Sequence, residues 1–527
     1  MEYDAIIVGG GIAGLISAAY LAKNGYQILL LEKEDACGGL VNSFTRDGFV
    51  YDGGIRAMEN SGILFPMIKD LGLDIDYVHN RVTLGIEDKI IAITSEENLE
   101  DYHDLLCSLY PENIEDIAKI TAEIGKIMDY MEVQYSIDNP AFLDMKKDRD
   151  YMIKNVVPWI FKYMFTVPKI NKYNLPVNDF LRNFTSNQSL LDIISQHFFQ
   201  ETPAFFALSY IKLYLDYHYP IGGTGKLPEK LVNLINQYGG NINNGTTIIE
   251  VDVVNRIVSD QSGNNYHYKQ LIWAADQRTF YSIIKKDNIT DQKLIQELQH
   301  KDSVMKDKVG NDSVLTLFLG TNIDPVVLSS KISGHFFYTP SRKGQSLAGK
   351  IPVGKDKKTI LSWLEEFLAL TTYEISIPVL RDPSLAPPGK SGFVISVLFD
   401  YSLTKHIDDM GWYQDFKSKS ESIIIRTLQN SIFPEIKGAI IHQFLSTPMT
   451  MERLSGNFMG AITGWSFTNH PLPAESRLPK IMSSTRTQIP NVFQAGQWTY
   501  SPSGLPISIL TGKLAADGVQ KELKRKQ

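Results

Sequence analysis

Apolar residues come in short bursts along this chain, and glycine ends several of them. YDAIIV (3–8) stops at a glycine cluster, and ISAAYLAKNG follows as a stretch of small and apolar residues ending at Gly25. The first pattern predicts a buried strand and the second a helix able to lie close upon it. QILLLEK (27–33), TTIIEV (246–251) and QLIWAAD (270–276) read as further strands. NVFQAGQW (491–498) reads as a strand ending in glycine, SPSG as a turn, and the segment from Leu505 as an amphipathic helix with Pro506 in its first turn. Between these lie other patterns. From residue 111, Ile114, Ile117, Ile120, Ile124 and Ile127 recur at helical spacing, predicting one apolar face packed on a sheet. VLTLFLG (314–320), TYEISIPV (372–379), GFVISVLF (392–399) and GAIIHQFLS (438–446) alternate, predicting a half-buried sheet that floors a cavity.

Residues 151–173 stand apart, mixing Met, Trp, Phe and Tyr with Lys154, Lys162, Lys169 and Lys172 and holding no acidic residue. Pro158 and Pro168 are expected to break any long helix there. Two readings stay open. The segment either lies in a membrane interface with its lysines near anionic headgroups, or forms a lid with its lysines in water.

The opening carries chemistry in its spacing. Gly9, Gly11 and Gly14 occupy a strand, glycine turn and helix, and Glu32 follows the next strand. Gly9 permits the tight turn, Gly11 lets the backbone approach a pyrophosphate, and Gly14 lets the helix sit close on the strands. The helix N-terminus faces the anion, and Glu32 accepts hydrogen bonds from an unphosphorylated ribose, as in FAD or NAD.

Composition narrows the rest. A chain of 527 residues with 43% hydrophobic and 21% charged residues is expected to fold as two or three ordinary globular domains. A net charge of −7 is the wrong sign for a nucleic-acid partner. Cys37 and Cys107 cannot build a disulfide framework, and no metal-ligand spacing is present, so no metal is expected. Glu2 and Asp4 stand where a secretory signal would be basic, and no apolar stretch reaches the roughly 18 residues of a membrane span. The expected location is the cytoplasm, with peripheral contact at the inner face of a membrane left open.

CGGL (37–40) and FVYDGG (49–54) resemble the second stretch of glutathione-reductase-like flavoproteins, which wraps the pyrophosphate and ribityl chain. Four segments extend the likeness: YPIGGTGKLPEKLVNLINQYGGNI (219–242), RDPSLAPPGK (381–390), STPMTMERLSGNFMGAITGW (446–465) and AGQWTYSPSGLPISILTGKLAA (495–516). Together they resemble the FAD-dependent phytoene desaturase, carotenoid isomerase and retinol saturase family, within the flavin amine oxidase-like superfamily. The resemblance implies an α/β protein, with a glutathione-reductase-like Rossmann FAD-binding domain, a mixed-sheet substrate domain and a helical cap. It implies a discontinuous FAD domain over 1–75, 216–290 and 470–527, with the substrate domain over 76–215 and 291–469. The implied cofactor contacts are Gly9, Gly11, Ile12, Ala13, Gly14, Glu32, Lys33, Gly38, Gly39, Leu40, Gly53, Gly54, Ile248, Gly496, Gln497, Gly504, Leu505 and Pro506. Gln497 stands where the superfamily usually has an acid, which removes a negative charge near the cofactor.

No nucleophile motif is present, so chemistry must rest on the cofactor, with the protein supplying orientation and electrostatics. The resemblance implies an apolar polyene or isoprenoid-like substrate, desaturated or saturated by hydride transfer at the flavin. Arg56 and Glu59 are the candidate catalytic pair; Arg56 can stabilise negative charge and Glu59 can hold Arg56 or a proton, unless both are a structural ion pair. Other readings remain: a redox-neutral cis–trans isomerase using reduced FAD, an amine or protoporphyrinogen-type oxidase with Trp498 and Tyr500 as an aromatic cage, and a flavin-binding protein without turnover.

Overall fold

The computed structural model describes residues 2–144, 146–477 and 480–525. Glu2–Val8 pairs in parallel with Ile28–Leu31 on one side and Asn265–Trp273 on the other, bringing Val8, Leu31 and Trp273 to one edge. Asn241–Asn243 and Val492–Gln494 extend the sheet in parallel, and Ile257–Asp260 and Ile248–Asp252 complete it in antiparallel fashion. Ala5, Ile6 and Ile7 are fully buried, as expected of a strand covered on both faces.

Helices from both ends of the chain meet on one face, beside Lys226–Gln237. Ile12–Lys23 follows the first strand directly and packs against Leu505–Arg525 from the other end of the chain. The two approach through small residues: a Cβ at Gly512 would lie 2.6 Å from the Ala13 carbonyl oxygen, and the Ser17 hydroxyl donates to the Gly512 carbonyl at 2.9 Å. The last helix therefore closes the fold that the first one opened.

A second sheet runs Ile440–Ser446, Ser313–Thr321, Ser391–Phe399, Tyr373–Ser376, His335–Thr339, Val82–Ile86, Lys89–Ile93, antiparallel except where His335–Thr339 pairs with Val82–Ile86. The half-buried expectation fails at its centre. Ser313–Thr321 is buried at every position and Ser391–Phe399 at nearly every one, because helices Lys357–Leu370 and Tyr413–Ser431 join the core of one face while the cofactor part and the cap cover the other. Only the edge strand Ile440–Ser446 keeps the alternation. Met58–Glu59, Tyr217–Pro220 and Tyr77–His79 form a small third sheet.

The cap is helical. Ile114–Tyr135 buries Ile117, Ile120, Ile124 and Ile127 among neighbouring helices and the edge residues Val82, Ile86 and Ile93, whereas Ile114, expected on that face, is exposed at the first turn. Pro158 and Pro168 do not break the segment beside it. Backbone from Arg149 to Tyr173 stays helical, passing through a π-turn at Met152–Val156 into the α-helix Val157–Ile170 and a closing 3-10 turn. Pro158 sits at the start of the α-helical part, where a proline is tolerated, and Pro168 falls in its last turn.

The helix contact at Gly512 is a test of this closure. Gly512→Leu should force the first and last helices apart, destabilise the protein by about 3 kcal/mol and lower its flavin content, read by thermal unfolding and absorbance.

Candidate active site

The three parallel carboxyl ends open on one edge, where glycines bring backbone close to backbone. Gly9 has φ +104°, and a Cβ on Gly14 would stand 1.9 Å from the Gly9 carbonyl oxygen, so no larger residue lets the helix come so near. Gly11 differs. A Cβ there meets nothing within 4 Å, so its α-carbon faces open space at the helix N-terminus. The loop at Gly38 and Gly39 borders that space: Gly38 N–H donates to the Gly10 carbonyl at 2.8 Å, and a Cβ on Gly39 would lie 3.2 Å from Gly11 Cα. Ile12 and Ala13 are buried beneath it. An open cradle at a helix N-terminus, free of side chains, fits a dinucleotide pyrophosphate.

Glu32 ends the second strand nearly buried, its two oxygens accepting from Gly10 N–H at 2.5 Å and Glu34 N–H at 2.9 Å. Thr246 N–H donates to the Glu32 carbonyl at 2.8 Å, which brings the segment leading into buried Ile248 against this carboxylate. Lys33 turns away: its Nζ donates to the Arg453 carbonyl at 2.6 Å and pairs with Glu34 at 2.9 Å. Cys37 is inert because burial and the Glu32 charge push its thiol up to about 12.

At the other end Leu40 and Gly53–Gly54 meet. A Cβ at Gly54 would lie 1.9 Å from the Leu40 carbonyl oxygen, and one at Gly53 2.1 Å from Asn42 Oδ1. Gly496, with φ +96°, touches Ala13 of the first helix, and Gln497 packs its backbone against Gly464. Gly504, Leu505 and Pro506 begin the last helix, and a Cβ on Gly504 would stand 3.3 Å from Glu59 Oε1. Glu59 thus faces the positive end of that helix, as the residues of a ring-binding site would. Burial, together with the nearby Asp216 charge, pushes its carboxyl up to about 7.

The alternative reading of Arg56 and Glu59 as a structural ion pair does not hold; among the described residues no salt bridge joins them. Arg56 is buried and turns to the second sheet, where its Nη2 donates to Ser396 Oγ at 2.5 Å. Around it lies a cluster that the sequence reading missed. His335 Nε2 pairs with Glu374 Oε1 at 3.0 Å and its Nδ1 meets Asn80 Nδ2 at 3.3 Å. Arg381 donates to the Arg56 carbonyl at 2.8 Å and covers the Tyr219 ring at 3.8 Å. Burial would raise the Glu374 carboxyl, but the His335 hydrogen bond and the Arg56 and Arg381 charges outweigh it and hold it at about 2. Burial pushes His335 down, so a neutral ring bridges Asn80 and Glu374. Arg381 lay within RDPSLAPPGK, and Glu374 was a lone acid in an apolar strand. Those were the available signals.

Trp498 and Tyr500 form no cage. Trp498 is buried edge-on to Trp465 with its Nε1 donating to Asn457, and Tyr500 is buried with its hydroxyl donating to the Ser476 carbonyl. An interior cavity of about 60 Å³ lies instead between the cap and the second sheet, walled by Leu84, Ile124, Ile193, Phe198, Leu208 and Phe337 among others. Two neighbouring aromatic residues, Tyr210 on its wall and Tyr217, lie within electrostatic reach of Glu59.

A glycine cradle at parallel strand ends, joined to a second mixed sheet under a helical cap, defines a Rossmann-type flavoprotein of two-sheet architecture. Residues 7–71 match the NAD(P)-binding Rossmann-like domain family. Along its whole length the chain is similar to prolycopene isomerase of Daucus carota, 23% identical over 100% of this chain and 81% of that one. It is also similar to 4,4'-diapophytoene desaturase of Staphylococcus aureus, 22% identical over 98% and 99%, and to all-trans-retinol 13,14-reductase of Danio rerio, 22% identical over 94% and 82%. Among solved structures, cyclohexylamine oxidase of Brevibacterium oxydans superposes with a TM-score of 0.61 at 12% identity over 100% of both chains, which shows the shared fold. Over nearly its whole length the chain is thus similar to the phytoene desaturase, carotenoid isomerase and retinol saturase family, and it is an FAD-dependent oxidoreductase.

The two glycines of the first turn should separate folding from cofactor binding. Gly11→Val should fold normally but purify without flavin, since its side chain enters only the open cradle. Gly14→Val should fail to fold, because its Cβ meets backbone; a yellow, folded Gly14→Val protein would contradict this geometry.

Proposed function

We propose that this enzyme acts on carbon–carbon bonds of an apolar polyene or isoprenoid-like molecule. The observation that carries this reading is the apolar cavity beneath the cap, whose wall reaches toward Glu59 at the head of the last helix. Apolar walls favour a hydrocarbon chain and exclude water from it. FAD, when bound, supplies hydride acceptance and donation at its N5. The protein contributes the rest. Glu59, with its carboxyl near 7, can hold or release one proton at Oε1 or Oε2 at neutral pH. Arg56, fixed on Ser396 and flanked by Glu374, keeps a positive guanidinium beneath the site where negative charge develops. The relatives named as prolycopene isomerases support a second reading, redox-neutral isomerisation of a polyene in the same cavity.

Anaerobic incubation of oxidised and of reduced enzyme with polyene-containing lipid extracts, followed by chromatography and mass spectrometry, tests both. Loss or gain of two hydrogens is expected for redox chemistry, an unchanged mass with altered geometry for isomerisation, and flavin reduction by hydrophilic amines alone would overturn both. Glu59→Gln should keep its FAD, lower turnover by about 10²–10⁴-fold and lose the inflection near pH 7 in the rate profile.

The cap helix supports delivery of such a substrate from lipid. No helix among the described residues is long and apolar enough to cross a membrane, but Phe161, Met164 and Phe165 are 61%, 64% and 75% exposed, with Ile153 and Val157 exposed beside them. Lys162 and Lys169 have no ion pair among the described residues, and Lys154 and Lys172 have only long ones, 3.9 Å and 3.8 Å. An apolar patch ringed by lysines suits an anionic bilayer surface, with about 1 kcal/mol per lysine. The protein is expected to co-float with anionic vesicles at low salt. Replacing the four lysines by Glu should abolish this without loss of FAD; failure of the wild type to float would make the segment a lid.

A further inference from the structure

The cavity under the cap is apolar in most of its wall, yet several of its polar groups are left without partners. Tyr214 is buried, and its hydroxyl has no hydrogen bond to any described residue. Tyr102, Tyr210 and His197 line the same cavity, and no hydrogen bond joins their polar atoms to a described residue either. This is not a general slackness of the wall. Thr339 and Thr372 on the opposite side hydrogen-bond each other at 2.7 Å, and Gln196 donates to Thr372 at 2.9 Å.

Tyr102 on the helix Asn98–Leu109 and His197 just after Gln188–Ser195 converge on Tyr210 and Tyr214, which share one helical turn. The Tyr210 and Tyr214 rings lie 5.6 Å apart, and Tyr214 and His197 approach the same Phe337 ring at 5.2 Å and 5.9 Å. Tyr102 and Tyr210 both act electrostatically on Tyr214. Burial pushes the His197 imidazole down to about 4, so at neutral pH it carries one ring proton and one free lone pair. Burying a polar atom without a partner, as at the Tyr214 hydroxyl, is costly, and an all-hydrocarbon occupant would leave the polar atoms of Tyr102, Tyr210 and His197 unpaired as well.

Resting on the polyene reading above, we propose that this cavity is the socket for an oxygenated end of the substrate, a hydroxyl or carbonyl, held by Tyr102, Tyr210, Tyr214 and His197. The balance of donors suits it. A hydroxyl accepts from two tyrosines and donates to the free nitrogen of His197; a carbonyl accepts from two tyrosines. The volume, about 60 Å³, suits a chain end rather than a whole polyene, so the remainder runs toward Glu59.

Binding to the FAD-loaded enzyme, measured by energy transfer from tryptophan to the ligand and independent of turnover, tests this with all-trans-retinol and the hydrocarbon that lacks only its oxygen. The wild type should bind the alcohol about tenfold more tightly. Tyr214→Phe combined with Tyr102→Phe should remove that preference while leaving hydrocarbon binding and FAD content unchanged, and Tyr214→Phe alone, which deletes a single oxygen, provides the milder variant. Equal wild-type affinity for the two ligands, the result for a void holding only structural water, overturns the socket but leaves the polyene reading standing. A preference that survives in the double variant also overturns it. Binding of neither ligand overturns both.

Discussion

The close approach of the first helix to the first strand at Gly14 is the constraint on which the rest depends. Because Gly14 carries no Cβ, the helix can rest against the Gly9 carbonyl, and its N-terminus then points over the strand edge with Gly11 open above it. The same closeness sets where the far end of the chain can dock. Gly512 meets Ala13, and Gly496 meets the other side of Ala13, so the last strand and last helix are placed by the geometry of the first turn. A glycine cradle and the start of the last helix beside Glu59, nearly 500 residues apart in sequence, are two consequences of one small-residue contact.

The second sheet answers this cradle with a line of polar residues through an apolar core. Register sets Thr316 opposite Ser396 and Ser396 opposite Glu374, on three neighbouring strands. Arg56 arrives from the cofactor part and ends on Ser396, with Thr316 bonded to the same hydroxyl at 2.8 Å. A buried guanidinium is costly unless paired and hydrogen-bonded, and Glu374 supplies the charge that makes it tolerable. The segment carrying Arg56 is therefore tied to the second sheet by hydrogen bonding and electrostatics.

Much of the cofactor side was legible because its chemistry is local. Gly9, Gly11, Gly14 and Glu32 sit within one strand, helix and strand, so spacing alone fixes their geometry. The polar cluster was not legible, because Arg56, Asn80, His335, Glu374 and Arg381 come together only through pairing of distant strands. Alternation misled at Ser313–Thr321 and Ser391–Phe399, where both faces are covered and small polar residues hydrogen-bond to other protein groups rather than to water. Proline misled at 158 and 168 because a π-turn and a helix end absorb it. The cap's isoleucine stripe was read correctly except at Ile114, which lies at the helix's exposed start.

Two carboxyls lie at this junction, and their surroundings drive them apart. Glu374 is held at about 2 by His335 and two arginines, whereas Glu59, desolvated and near the Asp216 charge, is pushed up to about 7. Separation of this kind assigns roles: the first stays ionised as a fixed counter-charge, and the second can change protonation near neutral pH. It also sets opposite effects on stability. Glu374 favours the fold above its ordinary value of 4.5 and loses that contribution as pH falls toward 2. Glu59 costs nothing below 4.5 but opposes the fold increasingly as pH rises through about 7, since its charged form is disfavoured in the native state. A group kept where its charge is unwelcome weakens the fold as pH rises from about 4.5 to about 7, and no further above that. On the function proposed above, its position at the head of the last helix gives that cost a use, because a carboxyl poised between its two forms can hold or release a proton near neutral pH.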